Sequence, residues 1–251
     1  MTPDSHLVSE CRPSPNHDER RDGQVPAILL LHYTGMKTGE AALERLCDPQ
    51  AAVSSHYLVE EDGRVFQLVP EARRAWHAGE GAWHGARDVN SRSIGIEIVN
   101  PGHEHGYRPF PARQIEAVIE LCKDCVARWA ILPQNVLAHS DTAPDRKQDP
   151  GELFPWDQLS AAGVGLGLAP VPIAGGRFLS PGERGQPVEA WQGLLAAFGY
   201  SVPIDGLYGE ETRLATLAFQ RHHRRELVDG VADLSTIKTL HGLLTTIADK
   251  I

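Results

Sequence analysis

The chain has little of what ties a protein to a nucleic acid or a membrane. It contains no run of Lys and Arg, and 24 basic residues face 33 acidic ones, a formal net charge of −9. A polyanion-binding surface needs the opposite balance, so no nucleic-acid partner is expected. No apolar stretch is long enough to cross a bilayer, so no transmembrane segment is expected either. The opening MTPDSHLVSECRPSPNHDERRDG lacks the apolar centre of a secretory signal, and residues 1–24 read as an extended tail. The sequence as written therefore predicts a cytoplasmic protein, unless an upstream signal has been removed. Cysteine is scarce: Cys11, Cys47, Cys122 and Cys125. The last two form C-x-x-C within a helical pattern, without the second pair that a zinc finger requires. They read as reduced helix thiols, which fits a reducing compartment.

Histidine, by contrast, is plentiful, 12 against five tyrosines, which favours a metal site without locating one. The stretch that organises the chain is LAHSDTAPDRKQDPGELFPW, residues 137–156. It gathers a histidine, carboxylates, a lysine and an arginine in a segment too rich in Pro, Asp and Gly for a helix. His139 ends a short apolar run that reads as a strand tip. Asp149 follows in a loop that must fold back to meet it. Neutral imidazole and carboxylate with Lys147 between them suit a hydrolytic zinc site, whose third ligand must come from elsewhere. The other reading is a polar surface loop with a chance histidine.

Upstream, PAILLLHYTG at residues 26–35 is a continuous apolar run, as in a central strand buried on both faces. His32 and Tyr33 then lie at its C-terminal end, where α/β sheets open their crevice. Alternatively, His32 is a core histidine satisfied by hydrogen bonds. A helix is predicted over 39–46. Two short strands, 53–59 and 65–69, flank the turn Glu61-Asp62-Gly63-Arg64. His56 in the first is a spare ligand candidate or a wall residue. The loop AWHAGEGAWHG, residues 75–85, places Trp76 and His77 among glycines, as in a ligand-facing loop or one anchored by buried tryptophan. SIGIEIVN, residues 93–100, alternates strictly, with Ile94, Ile96 and Ile98 on one face and Gly95 and Glu97 on the other. A carboxylate in so strong a strand is a local conflict of the kind functional sites leave, although an exposed sheet face would also explain it. Residues 111–129 form an amphipathic helix.

Residues 163–182 are dense in Gly and Pro with few charges, a linker or an extended strap. Beyond them, helices over 188–198, 210–224 and 234–247, separated by Asp-Gly turns, make a three-helix unit. The candidate chemical residues all precede the strap, so a fragment ending near Ser160 is expected to fold on its own.

Taken in order, LLLHYTG, SSHYLVEEDGRVFQLV, AWHAG, SIGIEIVN and the 137–156 stretch resemble the zinc-dependent N-acetylmuramoyl-L-alanine amidases of the amidase type 2 family, relatives of phage lysozyme-like amidases and peptidoglycan recognition proteins. The resemblance implies a mixed α/β fold, a central β-sheet flanked by helices, over residues 25–162. It implies Zn²⁺ held by His32, His139 and Asp149, with Glu97 and Lys147 catalytic. It implies a substrate, peptidoglycan or a muropeptide, contacted by Tyr33, Trp76, His77 and Asn90. Residues 183–248 resemble the small all-α peptidoglycan-binding domain often joined to such amidases. Ser55 departs from the pattern: the phage-type and recognition-protein branches often carry a tyrosine there, so the branch that relies on the glutamate is favoured. A monomer is expected, and removal of a signal would place the protein in the periplasm or at the outer membrane. The rival expectations are a non-catalytic wall-binding or sensing module and a zinc peptidase acting on the wall peptide.

Overall fold

The computed structural model describes residues 1–176 and 178–249. Its strands are β1 (Glu10–Cys11), β2 (His17–Glu19), β3 (Ile28–Tyr33), β4 (Tyr57–Val59), β5 (Val65–Gln67), β6 (Arg73–Ala75), β7 (Ser93–Ile98) and β8 (Val136–Ala138). The helices of the sheet domain are α1 (Gly39–Cys47), α2 (Val89–Arg92), α3 (Gly102–His105), α4 (Ala112–Trp129), α5 (His139–Thr142) and α6 (Trp156–Ala161). Three more follow, α7 (Gln186–Phe198), α8 (Glu210–His223) and α9 (Leu234–Ala248). One sheet has the order β1-β5-β4-β7-β3-β8, and β2 pairs with β6 outside it.

The apolar run of β3 is central because both of its neighbours, β7 and β8, are parallel to it. Parallel strands need crossover connections that cover the sheet faces, so neither face of β3 meets water. Its alternation divides the core. Leu29 and Leu31, with Ile94, Ile96 and Ile98 of β7, pack against Ile115, Val118 and Leu121 of α4. Ile28 and Leu30, with Leu137 of β8, pack on the opposite side. The same alternation puts His32 on the Ile28–Leu30 side, and Glu97 is its register partner in β7. The hairpin of β4 and β5 is antiparallel, as its Asp-Gly turn predicts.

Three expectations are corrected. Residues 1–24 are not a free tail: β1 extends the sheet along β5, and β2 pairs with β6. Arg20 explains why this segment is anchored. Its guanidinium donates to the carbonyls of Glu71, Asn90, Ser91 and Ser93. The 137–156 stretch also has a helical turn at its start, α5, before the loop that carries Lys147 and Asp149.

The third correction concerns the C-terminal helices. The three-helix unit is present, and the strap reaches it in extended form, with Val171 N–H donating to Thr239 Oγ1 at 3.0 Å. It is not a tethered body. Trp191, Phe198 and Phe219 share one buried cluster with Ile28, Leu30, Trp83 and Leu137 of the sheet domain. Trp83 sits edge-on to Phe198 and Tyr200, and a Cβ on Gly199 would come within 2.6 Å of its ring. Polar contacts align with this packing. Asp141 of α5 is 1% exposed, and it accepts from Tyr200 Oη at 2.6 Å, His222 Nδ1 at 2.7 Å and its own Ala138 N–H at 2.8 Å. Arg225 donates to the Phe154 carbonyl at 2.7 Å.

Removing residues 161–251 would expose the side chains of Ile28, Leu30, Trp83 and Leu137. Each large apolar side chain is worth roughly 1.5–3 kcal/mol when buried, against roughly 5–15 kcal/mol for a whole domain. A fragment ending near Ser160 is therefore expected to be insoluble or to melt far below the full chain. Thermal unfolding of both forms checks this, and equal melting temperatures would refute the shared core.

Candidate active site

The C-terminal ends of β3 and β7 and the start of the α5 loop open into a cleft of about 360 Å³. Tyr33, Met36, Arg45, Glu104, Arg146 and Lys147 are among the residues on its walls. At its floor His32 Nδ1 lies 2.9 Å from His139 Nδ1 and 3.1 Å from Asp149 Oδ2, and His139 Nδ1 lies 3.0 Å from the same oxygen. All three residues are buried. The backbone explains the meeting. β8 runs parallel beside β3, so the residue after Ala138 emerges next to His32. The loop then returns, and the Ser140 N–H donates to the Asp149 carbonyl.

The outer nitrogens of the two histidines are engaged elsewhere. His139 Nε2 donates to the Ala78 carbonyl at 2.9 Å, which leaves its Nδ1 as a bare acceptor. His32 Nε2 lies 3.0 Å from His77 Nδ1. At most one proton, that of His32, can therefore lie among three atoms that all prefer to accept. Burial pushes His32 down to about 4, and the neighbouring His139 ring pushes the same way, against the hydrogen bond to Asp149. Burial opposes the charge of Asp149, but the His139 and His32 rings beside it hold its carboxyl well below the usual carboxylate range. Two imidazole nitrogens and an anionic oxygen, crowded and short of protons, form a donor set that fits a divalent metal ion.

Glu97 lies in the same cleft, and its Oε2 is buried with no hydrogen-bond partner among the described residues. Burial raises its carboxyl well above the usual range, the Asp149 charge adds to this, and Lys147 opposes it. A carboxylate desolvated this way is a stronger base than one in water. Lys147 reaches the cleft from the loop just before Asp149.

The structure thus brings His32, His139, Asp149, Glu97, Lys147 and Tyr33 together. It places three other expected residues differently. Trp76 does not line the cleft, and its indole N–H donates to Asp18 at 3.1 Å. Asn90 does not line it either, and its Oδ1 accepts from the backbone N–H groups of His77 and Ala78. His77 is at the cleft, but both its ring nitrogens have partners within the protein, His32 and Ser93. It has no nitrogen left for a substrate. His56 is not a ligand: it is fully buried, and its Nδ1 accepts from the Gly95 N–H. Ser55 is also inward, donating to the Gly95 carbonyl at 2.7 Å.

Sequence reasoning missed two parts of the site. His103 lies on the rim, stacked on Tyr107, with Nδ1 3.0 Å from Tyr33 Oη and Nε2 3.2 Å from Glu152. The run His-Glu-His after Pro101-Gly102 was its only signal. Arg146 lines the cleft and donates to the carbonyls of Ala78 and Glu80.

The N-acetylmuramoyl-L-alanine amidase family profile matches residues 22–152, and a peptidoglycan binding domain profile matches residues 184–240. The N-acetylmuramoyl-L-alanine amidase AmiD of Escherichia coli (strain K12) is 40% identical over 247 residues, spanning 90% of this chain and 87% of that protein. The 1,6-anhydro-N-acetylmuramyl-L-alanine amidase AmpD of the same organism is 35% identical over 161 residues, 57% of this chain and 86% of AmpD. The solved complex of E. coli AmiD with anhydro-N-acetylmuramic acid-L-Ala-D-gamma-Glu-L-Lys has a TM-score of 0.75 at 39% identity, covering 94% of this chain and 93% of that one. Pseudomonas aeruginosa AmpDh3 has a TM-score of 0.72 at 28% identity, covering 99% of both chains. With this fold, this cleft and relatives that match nearly its whole length, the chain belongs to the N-acetylmuramoyl-L-alanine amidase family of amidase type 2 enzymes.

Proposed function

We propose that this protein is a zinc hydrolase that cleaves the amide between the lactyl group of N-acetylmuramic acid, or its 1,6-anhydro form, and L-alanine. The observation that carries this reading is the convergence of three crowded acceptor atoms with a desolvated carboxylate and a lysine in one cleft. His32, His139 and Asp149 would hold the zinc, leaving a position open to the cleft as catalytic sites do. When bound, zinc polarises a carbonyl and lowers the pKa of a neighbouring water. Glu97 takes the proton from the attacking water as its oxygen bonds to the carbonyl carbon. Lys147 donates to the carbonyl oxygen as negative charge collects there. Glu97 then delivers its proton to the alanine nitrogen as the C–N bond breaks, giving a free lactyl carboxylate and a free amine.

Support for a muropeptide substrate comes from the AmiD complex, whose ligand carries this bond. The C-terminal unit favours polymeric peptidoglycan as a second substrate. Mass spectrometry of digests tests the reaction. Muramic lactyl carboxylate together with a new L-alanine N-terminus is expected, from anhydro-muropeptides and from sacculi. Products cut only within the peptide would support a peptidase instead, and absence of products would support a binding module.

Two further outcomes are expected. Metal analysis of the purified protein gives one zinc per chain, and His139→Ala loses it; full occupancy in that variant would remove His139 from the ligand set. Glu97→Gln keeps the zinc but turns over at least about a hundredfold more slowly, the usual scale for a general acid–base. Near-normal turnover in that variant would reduce Glu97 to a strand residue.

A further inference from the structure

Outside the ligands, one chain of hydrogen bonds has a direction that can be deduced. Ser93 Oγ lies 2.7 Å from the Val89 carbonyl, a group that only accepts. A serine hydroxyl has one hydrogen, so it is committed there. Ser93 Oγ can then only accept from His77 Nε2, 3.2 Å away. With its hydrogen on Nε2, the neutral His77 ring, buried and with no carboxylate among its ring partners, has a bare Nδ1. The only donor left for the 3.0 Å contact between His77 Nδ1 and His32 Nε2 is His32 itself. His32 therefore carries its hydrogen on Nε2, and its Nδ1 is bare, facing His139 and Asp149.

We propose that Ser93 and His77 are positioning residues that fix the tautomer of His32, so that its Nδ1 lone pair is presented to the metal. The proposal rests on reading His32 as a zinc ligand. The local structure is built for this relay. Gly95 of β7 leaves the space the His77 ring occupies: a Cβ there would lie 2.5 Å from the ring. The His77 backbone N–H is fixed by the Asn90 side chain, 3.1 Å away, and Ser93 itself lies at the α2–β7 junction braced by Arg20. The adjoining Ala78 carbonyl fixes the tautomer of His139. Two consecutive residues, one by side chain and one by backbone, thus prepare both imidazoles in the same form. Partners that orient a ligating histidine commonly change metal affinity by roughly 10–100-fold when removed.

The test uses the full-length protein stripped of metal by a chelator. Long-range ¹H–¹⁵N correlation spectra should show His77 and His32 both protonated at Nε2, and in Ser93→Ala this preference should be lost. Zinc titrated against a competing indicator dye should bind roughly 10–100-fold more weakly to Ser93→Ala and to His77→Leu. His77→Asn, whose side-chain oxygen takes the place of Nδ1 as acceptor, should restore affinity to within a few-fold of the parent. A parent protein with His77 or His32 protonated at Nδ1 would overturn the relay, as would unchanged zinc affinity in both Ser93→Ala and His77→Leu. The two readings can fail separately: Nε2 tautomers in a parent that binds no zinc would refute the metal assignment and leave the relay intact.

Discussion

The convergence of three acceptor atoms at one point is the constraint on which the rest of the structure depends. Two ring nitrogens and a carboxylate oxygen sit 2.9–3.1 Å apart. Segments far apart in the sequence bring these atoms together. β3, paired on both sides and buried on both faces, carries His32. β8 aligns His139 with it, and the Ser140 N–H ties Asp149 back to the same turn.

Much of this was legible in the sequence because periodicity fixes direction. A short continuous apolar run ending in histidine and a turn reads as a buried strand with His32 at its tip. Strict alternation in SIGIEIVN put Glu97 opposite the isoleucines, and the parallel register made it the neighbour of His32. Loops have no such period. The composition of AWHAG suggested a surface facing a ligand, but where each side chain turns is set by distant partners. Trp76 turns to Asp18, in a segment read as a tail, and His77 turns to Ser93. Asn90 is short and polar, as suits a substrate contact or a backbone clasp, and only tertiary structure distinguishes the two.

The N-terminal segment was misread for a related reason. Its few apolar residues and many charges suggest a solvated tail. Yet one arginine in the right place can replace a hydrophobic core locally. Arg20 satisfies four carbonyls around the start of β7, groups that would otherwise be left without donors. The strands β1 and β2 then follow from that anchor. The three C-terminal helices were clear from their Asp-Gly turns, but their docking was not. Tyr200 and His222 look like ordinary residues of a small bundle until Asp141 is seen beneath them.

That docking changes how the protein would travel over a polymer. A binding module on a flexible leash lets its partner sweep every bond within a sphere around the anchor. Here the α8 side chain of His222 grips the same helical turn that begins with His139. Packed on one core, the C-terminal unit and the cleft would keep a fixed offset. On the proposed polymeric substrate, the bonds within reach of a bound C-terminal unit would be those at that offset, and reaching others would require release.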